Sequence, residues 1–221
     1  MHALSTTLFS LCALFLSVVA SPVPENSHQP DYPDWNQVNI KGVTYTGSGC
    51  PKDSVAGTLA PDGSFLNIAF DSYTASAGPG VTHRENRKRC KLTFELEYPE
   101  GWSITVFDTR YDGYLNLEEH VCATQKSVYH WGGQAPAATF LSTWTGPTSG
   151  DYVFTDSLAK NTCAWSSCNG VPDKLIIDTE IMVDNKKNKK GSGLLTTDSI
   201  EGKVTHTYGW KWKKCKSYGH A

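Results

Sequence analysis

The segment from Cys90 to Tyr98 limits most strongly what this chain can fold into. Leu92, Phe94, Leu96 and Tyr98 alternate with Lys91, Thr93, Glu95 and Glu97, the two-residue period of a β-strand with one buried and one wet face. Cys90 shares the apolar parity, so its sulfur points inward. After Pro99-Glu100-Gly101, Trp102, Ile104 and Val106 resume the alternation, which reads as the return strand of a hairpin. A surface that is apolar on one side only requires a second layer laid over it.

The rest of the chain repeats this pattern. Pro61-Asp62-Gly63 separates two short extended runs, 55–59 and 65–70, with proline presetting one turn corner and glycine taking the strained one. Asp112-Gly113 separates 105–111 from 114–117 in the same manner. Further strands are expected over 38–46, 70–76, 123–131, 138–144, 152–155, 174–183, 194–197 and 204–212. No stretch carries a helical period, so the expected fold is all-β, a disulfide-stapled β-sandwich or jelly roll with little helix.

A chain of 221 residues accommodates one large domain of this kind. Residues 1–20 lack Asp, Glu, Lys and Arg, run apolar from Leu8, and end Val18-Val19-Ala20, the form of a secretory leader cleaved after Ala20. Residues 21–37 hold four prolines among polar residues and read as a disordered arm. The domain is expected over 38–216, followed by a tail at 217–221. No second apolar run follows, so no integral membrane segment is expected. Setting aside Cys12 in the leader, Cys50, Cys90, Cys122, Cys163, Cys168 and Cys215 remain, an even set suited to an oxidising, extracellular setting. Spacing alone does not choose among their pairings.

The net charge of −2 argues against a nucleic-acid partner. Basic residues nevertheless cluster at Arg84 to Lys91, at Lys186 to Lys190 and at Lys211 to Lys216. These are either solvated faces or a patch for acidic polysaccharide or an anionic membrane surface. Beyond the leader, the histidines, His28, His83, His120, His130, His206 and His220, show no metal-ligand spacing, and no metal or cofactor is expected. No Gly-x-Ser-x-Gly elbow is present. Glycoside hydrolysis needs two carboxylates facing one groove, and Glu95 with Glu97, or Asp178 with Glu180, share strand faces. Tyr208, Trp210 and Trp212 fall on one face of the last strand, either as core or as a stacking platform for sugar rings. Trp35, Trp131 and Trp144 lie near loop or strand ends.

Several motifs in fixed order resemble a known family. They are Gly47-Ser48-Gly49-Cys50-Pro51, Phe70-Asp71-Ser72-Tyr73 leading to Gly78-Pro79-Gly80-Val81, Arg87-Lys88-Arg89-Cys90, Thr145-Gly146-Pro147 with Gly150-Asp151-Tyr152, and Trp165-Ser166-Ser167-Cys168. Thr197-Asp198-Ser199, Gly202-Lys203-Val204 and Tyr208 with Trp212 and Cys215 complete the order. Over 43–215 the chain resembles the fungal secreted family of domain of unknown function 4360. That resemblance implies secretion, a compact β-rich domain and no established chemistry. The family's cysteines resemble Cys50, Cys90, Cys168 and Cys215, with Cys122 and Cys163 as an addition, which implies the pairs Cys50–Cys90, Cys122–Cys163 and Cys168–Cys215; a local Cys163–Cys168 loop is the rival. The expected function is that of a monomeric, non-enzymatic extracellular protein acting at a cell wall polysaccharide or host surface. Glycan binding would use Tyr208, Trp210 and Trp212, and an effector or elicitor role would follow from the resemblance. The alternative is a jelly-roll carbohydrate-active hydrolase using Glu95 and Glu97.

Overall fold

The alternation around Phe94 is realised in the computed structural model of the protein, which describes residues 32–61, 64–133, 138–157, 164–170, 173–197 and 206–216. Leu92, Phe94 and Leu96 are buried, while Lys91, Thr93, Glu95 and Glu97 reach solvent. Among the described residues a short 3-10 turn, Trp35–Gln37, precedes twelve strands. These are β1 (Asn39–Thr46), β2 (Val55–Leu59), β3 (Phe65–Phe70), β4 (Thr74–Ala77), β5 (Arg87–Glu97) and β6 (Trp102–Leu117). They continue as β7 (Cys122–Trp131), β8 (Ala138–Thr145), β9 (Thr148–Ser157), β10 (Asp173–Asp184), β11 (Gly193–Thr196) and β12 (His206–Lys214). Five strands form one sheet in the order β1-β5-β10-β7-β8; seven form the other, β2-β3-β12-β6-β11-β4 with β9 also on β6. The fold is all-β, two antiparallel sheets enclosing one core.

One expectation about the central segment is corrected. β5 and β6 are not hairpin partners: β5 pairs with β1 and β10, and β6 with β9, β11 and β12. Pro99-Glu100-Gly101 carries the chain from one sheet to the other. Side by side, the two strands would have presented one apolar face in need of a cover. Crossing over lets Leu92, Phe94 and Leu96 face the layer that holds Ile104 and Val106, and each covers the other. Gly101 fixes the crossing in the left-handed region, with φ of 82°, and exchanges backbone hydrogen bonds with Cys168 and Cys215 at 3.0 and 2.8 Å. Those two cysteines are disulfide-bonded to each other.

A second correction concerns Asp112-Gly113, which is no turn. β6 runs unbroken over 16 residues. Its phase switches at a bulge, where β12 skips from Asp108 to Val106 and leaves Phe107 unpaired. Before the bulge Ile104 and Val106 face inward; after it Thr109, Tyr111, Leu115 and Leu117 do. Strand pattern plus phase slip imitates two strands. Gly113 is glycine because a β-carbon there would lie 2.4 Å from the Thr196 carbonyl oxygen and 2.6 Å from the Tyr152 hydroxyl. Gly113→Ala is therefore expected to cost about 2–3 kcal/mol by overpacking, read as a lower urea midpoint; an unchanged midpoint would contradict this contact.

Cys50–Cys90 and Cys168–Cys215 are bonded, which excludes the local Cys163–Cys168 loop. The Cys122 sulfur lies 3.5 Å from Thr145 Oγ1; its expected partner Cys163 lies outside the described residues, as do residues 1–31 and 217–221. The end of the proline-rich arm packs onto the domain. Asp34 caps the 3-10 turn, and Trp35 meets Tyr32 and Trp212 at ring distances of 5.4 and 5.8 Å.

The interior holds a network of polar groups, most of them paired with one another, as burial demands. Tyr152 donates to Gln125 Oε1 at 3.0 Å, and the Gln125 amide donates to His206 Nε2 at 3.3 Å. The neutral His206 ring then carries its proton on Nδ1 and donates to the Tyr208 hydroxyl at 3.1 Å. Tyr73 and Ser127 donate to Thr179 at 3.3 and 3.2 Å, and the Tyr111 and Tyr129 hydroxyls share a hydrogen bond. His206 is fully buried. Burial lowers its pKa from 6.5 to about 3, in keeping with a second proton having only the Gln125 N–H to face.

Candidate functional site

Directly opposed residues of an antiparallel ladder share a face, so the register states what the outer side of the five-stranded sheet presents. One row across it reads Thr46, Lys91, Asp178, Val128, Thr139. The next reads Arg89, Glu180, Lys126, Leu141. Basic and acidic side chains thus alternate between neighbouring strands along both rows. Long side chains at Arg89, Lys91 and Lys126 surround short ones at Thr46 and Val128, leaving an open groove of about 330 Å³ whose floor is the backbone of Cys90 and Thr179.

The groove's acidic centre is held ionised. Arg87 Nη2 and Arg89 Nε reach the same Glu180 oxygen at 2.6 and 2.5 Å. Partial burial pulls the Glu180 pKa upward, but the hydrogen bonds and charges of the two arginines outweigh it and hold the carboxyl below its ordinary value. The bend before β2 seats this edge: Ser48 Oγ accepts from the Arg89 N–H at 3.2 Å, and Gly49 N–H donates to the Arg89 carbonyl at 2.8 Å. Gly49 must lack a side chain because a β-carbon would enter the Tyr73 ring, 2.2 Å away.

The other residues singled out in the sequence lie elsewhere. Glu95 and Glu97 project from the far half of β5, each on a lysine: Glu95 on Lys174 at 3.3 Å and Glu97 on Lys41 at 2.5 Å. They point the same way from one strand, whereas glycoside hydrolysis places carboxyls on either side of the bond. Tyr208, Trp210 and Trp212 do share a face, and it is the inner one. Tyr208 is fully buried against Tyr111 and Tyr129, where no external sugar reaches it. Trp210 and Trp212 are partly buried against the core, Trp212 edge-on to Tyr98. Trp131 is buried and donates to the Ala164 carbonyl at 3.1 Å, and Trp144 packs on Tyr152. Both plug the sandwich rather than join an exposed cluster.

Rings do occur outside, on residues that the strand alternation does not single out. Lys211 lies 3.0 Å over Phe107, and Lys213 lies 4.1 Å over Trp165, as cation–π pairs on the outer side of the seven-stranded sheet. Phe107 is the bulge residue, and its strand's phase hid it. Among the described residues no group of three His, Cys, Asp or Glu side chains could hold a metal ion, and no helix is long and apolar enough to cross a membrane.

Comparison with known proteins gives the chain its relatives. A fungal protein of Arthroderma benhamiae, named an uncharacterized secreted protein, is 36% identical over 193 residues, 87% of this chain and 78% of that one. This agrees with the export expected from residues 1–20, and the protein is secreted. Among solved structures, TmCBM61 in complex with β-1,4-galactotriose is 10% identical over 79% of this chain and 90% of that one, with a TM-score of 0.25. The family 11 carbohydrate-binding module from Clostridium thermocellum, in complex with a β-1,3-1,4-mixed-linked tetrasaccharide, is 9% identical over 81% and 93%, with a TM-score of 0.25. Likenesses this weak carry no statement about a ligand. Residues 36–215 match the family described as domain of unknown function 4360, and the chain belongs to that family.

Proposed function

We propose that this secreted protein binds extracellular polysaccharide, of a cell wall or host surface, along the outer face of its five-stranded sheet. The observation that carries the reading is the alternation in the groove: donors at Arg89, Lys91 and Lys126 stand in register with acceptors at Asp178 and Glu180. A sugar hydroxyl both donates and accepts, so a lining of this kind suits a hydroxyl-rich chain better than a purely cationic one would. The groove is open rather than enclosed, as a linear polymer requires, and it is built on strands, which keep its groups fixed. A carboxylate held below its ordinary pKa, as Glu180 is, is poorly suited to serve as a general acid, so the same residues favour binding over hydrolysis. An effector or elicitor role draws no support from them and is not part of the proposal.

The test is pelleting with insoluble chitin, β-glucan, cellulose and pectin. Wild-type protein is expected to sediment with at least one of them and to release no reducing sugar. Lys91→Ala with Lys126→Ala removes two exposed donors without touching the core and should weaken sedimentation about tenfold. Sedimentation unchanged by that pair would remove the groove from the site, and sugar release would support the hydrolase reading instead.

A further inference from the structure

Beyond the groove, the same edge of the sandwich ends in a cleft between two loops, residues 78–86 and 184–192. We propose that this cleft binds the anionic substituent of an acidic polysaccharide, a carboxylate or a sulfate ester, and so sets which glycan the protein takes. The inference rests on the reading of the groove as a polysaccharide site.

The cleft consists of two adjoining lobes of about 200 and 360 Å³, both lined by His83, Asn86, Asn185 and Lys186. Arg87 and Met182 line the smaller lobe, Lys189 and Val81 the larger one. Arg87 joins the cleft to the groove, because its guanidinium also holds Glu180. A polymer lying in the groove thus reaches the cleft without leaving the surface.

Charge on the two loops that form the cleft is poorly compensated. Asp184 is paired with Lys186 at 3.0 Å, and Glu85 with Lys88 at 2.8 Å. Among the described residues, Arg84, Lys189 and Lys190 have no carboxylate within ion-pair distance. Nor is the lysine loop a loose, solvated run. Asn188 donates from its side chain to the Glu119 carbonyl at 2.9 Å and accepts the Gly191 N–H at 3.1 Å, and Asn185 donates to the Gly191 carbonyl at 3.1 Å. Gly78 backs onto Ser192 so closely that a β-carbon would stand 2.8 Å from its Oγ, which locks the two loops together. Cations fixed by such a framework lose less freedom on binding than lysines on a mobile tip.

A second observation marks a ligand with hydroxyls as well as charge. Asn86 lines both lobes, and its Oδ1 is buried without a hydrogen-bond partner. Its amide nitrogen and its backbone carbonyl both engage Val183, at 3.5 and 2.8 Å, so the side chain is held in place. A buried acceptor left unpaired is costly unless something donates to it, and a sugar hydroxyl can. Val81, more than a third exposed, offers an apolar surface to a ring face.

The test titrates the secreted protein with polygalacturonate, with its methyl ester, which has the same backbone without the charge, and with dextran sulfate. Wild type is expected to bind polygalacturonate or dextran sulfate at least about tenfold tighter than the methyl ester at low salt, with the preference fading as salt rises. Whichever polyanion binds more tightly identifies carboxylate or sulfate as the group. Arg84→Gln, Lys189→Gln and Lys190→Gln together should abolish the preference, and Asn86→Ala should weaken polygalacturonate binding about threefold or more with the salt dependence kept. Lys91→Ala with Lys126→Ala should weaken all three ligands and keep the ratio. A preference intact in the triple variant, or an Asn86→Ala variant that binds as wild type does, would overturn the cleft site. If the groove pair has no effect while the triple variant loses the preference, the cleft stands and the groove reading falls.

Discussion

Acidification from pH 6.5 to about 3 is expected to cost the folded protein roughly 4–5 kcal/mol through one side chain, His206. Its pKa is lowered in the folded state, so the unfolded chain binds the proton first. The stability is fully present above pH 6.5 and is lost as pH falls toward the folded value. Against a typical domain stability of about 5–15 kcal/mol, that is enough to bring the protein close to unfolding. The carboxyls held low by basic neighbours, Glu180 and Asp184, act in the same direction but at lower pH. A loss of about 2 kcal/mol between pH 7 and 5 therefore belongs to His206. Urea unfolding at those two pH values should show that loss in wild type, and His206→Gln, which can keep an amide in the network without titrating, should remove most of it. An equal loss in the variant would show that the acid sensitivity arises elsewhere. The alkaline limit has the opposite origin. Burial raises the pKa values of Tyr73, Tyr129, Tyr152 and Tyr208, so their contribution is present below pH 10 and lost as pH climbs beyond it.

The second large effect is covalent. Cys50–Cys90 and Cys168–Cys215 close loops of 40 and 47 residues, and each is expected to contribute about 4 kcal/mol by restricting the unfolded chain. They do different structural work. Cys50–Cys90 ties the bend before β2 to the start of β5 beside the groove. Cys168–Cys215 ties the end of β12 to the segment that takes the Gly101 crossing between sheets. Replacing both cysteines of one pair by serine should lower the urea midpoint by an amount worth about 4 kcal/mol in either case. Loss of the first pair should also weaken glycan binding, because Arg89 is seated by Ser48 and Gly49, whereas loss of the second should leave binding by the still-folded fraction intact. Equal binding in the two variants would mean that the bend does not hold the groove's edge.

Much of this architecture is legible in the sequence because burial on one face writes a two-residue period. β7 and β10 keep that period without interruption, and their ranges follow from it to within about a residue. β5 keeps it too but begins at Arg87, ahead of the Cys90 at which its apolar alternation starts. Where the period fails, it fails for a reason. The bulge at Phe107 shifts the phase of β6, so one long strand reads as two, and Gly113, placed by close contact with Thr196 and Tyr152, imitates a turn. Ser103 and Thr105 are buried although polar, because the Ser166 and Ala164 carbonyls cover them and accept their hydroxyl hydrogen bonds. Which sheet a strand joins is not in its pattern at all, and for that reason the Pro99-Glu100-Gly101 crossing passed for a hairpin. The aromatic row of β12 illustrates the same gap: alternation shows that Tyr208, Trp210 and Trp212 share a face but not that the face is the inner one. The groove was legible only in part. Asp178 and Glu180 were visible as a same-face pair, but their alternation with Lys91, Arg89 and Lys126 depends on register across three strands.

The most direct measurement is a backbone-amide NMR titration of the protein with soluble fragments of the polysaccharide that it sediments with. Resonances of Lys91, Lys126, Asp178 and Glu180 should shift together and saturate with one affinity, while those of Phe107, Trp165, Lys211 and Lys213 stay in place. Shifts confined to the outer side of the seven-stranded sheet, around Phe107 and Trp165, would contradict the account.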